Sequence, residues 1–128
     1  MRRLLLWGPP LVYMALIYQG SSQSDPLPQI THLVWDKALH FAEYSVLGLL
    51  LFRALRGEEL PLWPAIVLAA LLTSTYGASD EWHQAFVPHR TSDAADWLAD
   101  TIGGGIGAAA YGLARSGTKP RRSAPSRP

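Results

Sequence analysis

The 128-residue chain contains no cysteine, which excludes disulfide staples, thiol nucleophiles and thiolate metal ligands. Other signatures are missing too. No histidine pair has the H-E-x-x-H spacing of a helical zinc site, His83 and His89 being separated by a proline turn. No nucleophile elbow surrounds Ser45 or Ser79. The chain has no internal repeat and no nucleic-acid signature, so no nucleic-acid partner is expected. The run from Gly103 to Gly107 follows no strand and lies in an apolar segment, which excludes a phosphate loop.

What is present is apolar and segregated. Hydrophobic residues make up 48% of the chain, and the mean hydropathy of +0.07 averages long apolar stretches with polar loops and a polar tail. A spanning helix takes about 20 residues, with about 17 as the lower end. Lys37 to Leu55, Leu60 to Ala78 and Trp97 to Leu113 reach or approach that length, whereas Leu4 to Tyr18 is shorter and carries Pro9 and Pro10. The expected fold class is all-α, a multi-pass membrane protein built as a four-helix transmembrane bundle over residues 1–114, with helices at about 4–18, 37–55, 60–78 and 97–113. Residues 115–128 mix Arg, Lys, Pro, Ser and Gly without apolar periodicity and read as a disordered basic tail.

The first segment also has the outline of a secretory signal, with Arg2 and Arg3 ahead of an apolar run and Gly20, Ser21 and Ser22 behind it. Trp7 and the Pro9-Pro10 pair interrupt the run and no A-x-A-like site follows, which favours a retained helix over a cleaved one. With both termini inside the cell, nine of the eleven Lys and Arg residues are cytoplasmic and only Lys37 and Arg90 are external. The positive-inside rule therefore predicts an N-in, C-in chain in the cytoplasmic membrane. Trp35, Trp82 and Trp97 then fall at the outer interface, and Trp7 and Trp63 at the inner one.

The polar residues of the external half are the candidate ligand pocket. Asp36, Lys37, His40, Glu43 and Tyr44 recur at helical spacing in the second segment, as do Tyr76, Asp80, Glu81, His83 and Gln84 at the end of the third. Arg90 follows in the loop. The fourth segment carries Asp93, Asp96 and Asp100, then Gly103, Gly107, Ala110 and Ala114, in steps of three and four. Its small half, Gly103 and Gly107 above all, is expected to pack helix against helix. The acidic half needs cations, protons or a ligand, because converging carboxylates at membrane depth repel one another. Lys37 and Arg90 are the local cations expected to pair with some of them. If a divalent metal is bound, His40, His83, Asp80 and Asp96 are its expected ligands; no other cofactor is expected.

Three strings then carry a resemblance. Asp36-Lys37-x-x-His40-Phe41-x-x-Tyr44, Asp80-Glu81-x-His83-Gln84-x-Phe86-Val87-Pro88-x-Arg90, and Asp96-x-x-x-Asp100-Thr101-x-Gly103, preceded by Ser21-Ser22-Gln23, resemble the VanZ-like family of small bacterial membrane proteins. The likeness runs from Leu4 to Leu113. Position 89, often Gly in that pattern, is His89 here, and position 100, often Asn, is Asp100. The family takes its name from a protein associated with teicoplanin resistance, so the resemblance implies a cell-envelope setting and does not supply a reaction.

Two functions follow. The first is non-enzymatic: the outer polar mouth binds membrane lipid, a lipid-linked cell-wall intermediate or a lipoglycopeptide, with Arg90, Lys37 and His40 at the headgroup and Tyr44, Trp82, Phe86 and Trp97 at its apolar part. The alternative is a metal-assisted hydrolase or transferase at the outer leaflet, using His40, His83 and one or two of Asp80, Glu81, Asp96 and Asp100. Transport is a third outlet, and a chain this short would need to oligomerise for it.

Overall fold

The computed structural model describes residues 1–24 and 33–117. The described residues form four helices, α1 (Arg2–Ser21), α2 (Leu33–Gly57), α3 (Leu62–Gln84) and α4 (Ala94–Gly117), and no strand. Each runs further than its apolar stretch alone suggests. The Asp80 to Gln84 motif is helical rather than loop, because no breaker occurs before Pro88. The first three residues of the expected tail continue α4, with the Arg115 guanidinium over the Tyr111 ring at 5.5 Å. The rest of the tail, and His32, lie outside the described residues.

Helix α1 passes straight through Pro9 and Pro10. A proline removes the donor for the carbonyl four residues earlier, which leaves the Leu5 and Leu6 carbonyls without intrahelical partners. Arg53 of α2 donates to the Leu5 carbonyl at 3.4 Å. The start of α1 is tied down further by Arg2 on the Gly57 carbonyl, Trp7 on Glu58 at 3.1 Å and Arg3 beside Glu58 at 3.4 Å.

Helices α2 and α4 pack most closely, α3 lies against both, and α1 leans on α2 and more sparsely on α3. Among the described residues α1 does not touch α4. Close approach of α4 depends on its glycines: a methyl on Gly103 or Gly107 would overlap the Phe41 or Ser45 carbonyl of α2. The core below is apolar, centred on Leu47, Leu51, Phe52, Ala65, Ala69 and Ala108.

Polarity is arranged inside out. Along α4, Leu98, Ile102, Ile106 and Leu113 are exposed while Asp96 and Asp100 are buried. Along α3, Val67 and Leu71 are exposed while Thr73, Asp80, Glu81 and Gln84 are buried. A soluble domain would place these residues the other way round. Two helical stretches, Asp36–Gly57 and Leu62–Gln84, are long and apolar enough to cross a membrane. By length and composition these two helices can cross a membrane, and the polar side chains collect within the bundle.

Candidate functional site

The site lies where the first turns of α2 and α4 meet the last turns of α1 and α3. Asp93 sets the start of α4. Its Oδ1 accepts the Ala95 N–H at 2.9 Å, an N-cap bond that Asp forms readily. Its own N–H donates to Glu81 Oε2 at 2.8 Å, which fixes one oxygen of that buried carboxylate. Lys37 bridges Asp93 and Asp96 at 2.8 Å each. The Lys37 ammonium and then the Ala95 N–H hold the Asp93 carboxyl below its ordinary range.

Deeper in, His40 Nδ1 lies 2.9 Å from Asp100 Oδ1. Asp100 is fully buried and His40 nearly so. Asp80 receives the Gln84 amide at 3.1 Å. Four polar atoms in this group are buried without a hydrogen-bond partner: Tyr44 Oη, Asp80 Oδ1, Glu81 Oε1 and Asp100 Oδ2. Such orphans are rare, and three of them on neighbouring carboxylates mark a place prepared for something. Gly77 of α3 makes room for Asp100, since a Cβ there would sit 2.9 Å from Asp100 Oδ2 and 3.0 Å from its Cβ.

Several sequence-based expectations are redirected. Arg90 is hydrogen-bonded to no carboxylate; it donates to the carbonyls of Gln23 at 3.1 Å and Gly20 at 3.5 Å, at the C-terminal end of α1, where the helix dipole favours a cation. Lys37 pairs with local acids as expected, held by Asp93 and Asp96 and so not extended toward a headgroup. His83 stands apart from the acidic group. It stacks on Tyr18 with ring centroids 4.5 Å apart and its Nε2 is 3.0 Å from Ser22 Oγ. Tyr44 belongs to the core, packed beside Tyr76 and His40, so it does not offer a surface for an acyl chain. Trp97 bonds the Ser74 carbonyl on the α3–α4 side, while Trp82 and Phe86 form an exposed edge-to-face pair.

Among the described residues, the groups of three whose ligand atoms come within 4.8 Å of one another are His40, Glu81 and Asp100, and Asp36, His40 and Asp96. His40 and Asp96 were expected there; His83 and Asp80 are in neither set. The parts played by Tyr18, Ser22 and Gly77 were not legible as such. Ser22 stands in a quoted motif and Gly77 lies one turn before Glu81, but neither spacing shows which neighbour it meets.

Two cavities open beside these groups. One of about 420 Å³ lies between α1, α2 and α3, walled by Asp36, His40, Glu43, Asp80, Gln84 and Arg90 toward the polar end, and by Ile17, Leu39, Ala42 and Val46 elsewhere. The other, about 370 Å³, is aromatic, with Tyr18, Tyr76, Trp82, His83 and Phe86 around Ser79 and Asp80. Asp80 borders both.

A family model described as VanZ/LLP1 matches residues 6–115. No curated protein and no solved structure matches the chain.

Proposed function

Since the chain belongs to the VanZ/LLP1 family, we propose that it is an envelope protein of the bacterial cytoplasmic membrane that binds an amphiphile in the groove between α1, α2 and α3. The observation that carries this reading is the change of character along one wall: α2 presents Asp36, His40 and Glu43 beside Leu39, Ala42 and Val46 in the same cavity. An amphiphile places a polar head against the first set and a chain along the second. The sparse packing of α1 leaves this groove a side entrance toward lipid.

The head this groove suits bears hydroxyl or amine groups. Asp36, Glu43 and Asp80 outnumber Arg90 in its wall, and a lone anionic head would be repelled. A lipoglycopeptide, with sugar hydroxyls and amines beside an acyl chain, has the required form. The partition of the basic residues favours an outer-leaflet position for the groove, where such molecules are met.

The test uses the full chain in lipid nanodiscs and a fluorescent acylated glycopeptide, with its deacylated form as the comparison. The acylated probe is expected to bind at least tenfold more tightly, and Ala42→Trp, which fills the groove from an exposed position, to abolish that preference. Equal binding of both probes, or an unaffected Ala42→Trp variant, would sink the reading.

A further inference from the structure

We infer that His40, Glu81 and Asp100 form a site for one divalent transition-metal ion of the Mn2+ to Zn2+ class. One side chain comes from each of α2, α3 and α4, and one ligand atom from each lies within 4.8 Å of the other two. All three residues are more than nine-tenths buried.

Acidic residues alone would not make a site, and two further features do. Glu81 Oε1 and Asp100 Oδ2 are buried without a partner, although the other oxygen of each is held, by the Asp93 N–H and by His40. This is how ligating carboxylates are oriented, one oxygen fixed by the protein and one left for the ion. Finally, the nearby cations are committed elsewhere: Lys37 pairs with Asp93 and Asp96, and Arg90 holds the α1 carbonyls. Buried carboxylates require a counter-charge or a proton.

The donor set selects the ion. One imidazole nitrogen with two carboxylate oxygens suits Mn2+ or Zn2+ over Ca2+, which takes oxygen alone. Gly77 keeps the pocket open, because a Cβ at that position would press on Asp100 Oδ2. The second triad, Asp36, His40 and Asp96, shares His40, and its Asp96 is already neutralised by Lys37.

The proposal stands whether or not an amphiphile occupies the groove, and its test contains none. The chelator-treated full chain in detergent micelles is titrated with MnCl2 or ZnCl2 by calorimetry, and the loaded protein is examined by X-ray absorption at the metal edge. Expected are one equivalent bound, imidazole scattering in the first shells, and affinity reduced at least tenfold in Glu81→Gln and in Asp100→Asn. Glu58→Gln, at the opposite end of the bundle, is expected to bind as the parent does. Absence of saturable binding for both ions overturns the proposal, as does binding unchanged in both variants. Should the variants fail to fold, the absorption spectrum of the unaltered protein decides: a spectrum without imidazole scattering overturns it.

Discussion

His89 shows how much one residue's backbone can explain. Its φ is 63°, in the left-handed region where a side chain with a Cβ costs about 1–2 kcal/mol and glycine nothing. Glycine at this position is therefore the unstrained choice for the turn between Pro88 and Arg90, and histidine is tolerated because it is exposed. His89→Gly is expected to raise stability by up to about 1 kcal/mol, the relieved strain exceeding the extra freedom glycine has when unfolded. Chemical denaturation in micelles measures it; a clear loss would mean that the imidazole makes a contact worth more than the strain. Asp100 differs in kind, because its carboxyl is buried against His40. The site's ionic character therefore depends on this position as well as on His40 and Glu81.

At the scale of the element, α4 is held by its cap and by its glycines. Asp93→Asn preserves a good N-cap and removes only the charge facing Lys37. Because the native carboxyl lies below its ordinary value of 3.8, its contribution is fully present above that value and is lost as pH falls through the lower native one. The stability advantage of the parent over Asp93→Asn is thus expected at neutral pH and should vanish on strong acidification. Parallel denaturation curves across pH check this, and an advantage that grows in acid would reverse the sign of the pairing. The glycine face offers a sharper contrast. Gly107→Leu collides with the Ser45 carbonyl, while a Cβ on Gly105 meets only the Ala70 Cβ at 3.8 Å. Gly107→Leu should lower folded protein in the membrane severalfold, and Gly105→Ala should leave it near the parent level, as read by detergent-extracted yield. Equal yields would place the Gly107 face against lipid.

Among the described residues, most carboxylates gather at one end of the molecule and most basic residues toward the other. The N-in, C-in orientation is an expectation from that partition, and the lack of cysteine makes it simple to test. Single replacements at exposed sites, Ser92→Cys in the α3–α4 loop and Ser116→Cys at the end of α4, can be labelled in intact cells with a membrane-impermeant maleimide. Ser92→Cys should react at once and Ser116→Cys only after permeabilisation. The opposite pattern would put the groove on the cytoplasmic face and remove the outer-leaflet ligands from consideration.

Four helices and their order were legible in the sequence, because apolar length and the three-and-four spacing are local properties that no partner has to supply. The motif strings also pointed to the family, and the glycine spacing in the fourth segment marked a close-packed face. Partner choice was not legible. Lys37 and Arg90 are both cations among acids, yet only the fold shows Lys37 between two carboxylates and Arg90 on the carbonyls that end α1. Likewise, Tyr44 reads as a pocket residue by spacing alone and is packed into the core, whereas His83 does line a cavity, the aromatic one, stacked on Tyr18. A periodicity defines the face a residue occupies on its own helix. Which atom lies across from it depends on the rotation and depth of a second helix, and in this bundle those are set by glycine contacts such as Gly103 on Phe41 and Gly107 on Ser45.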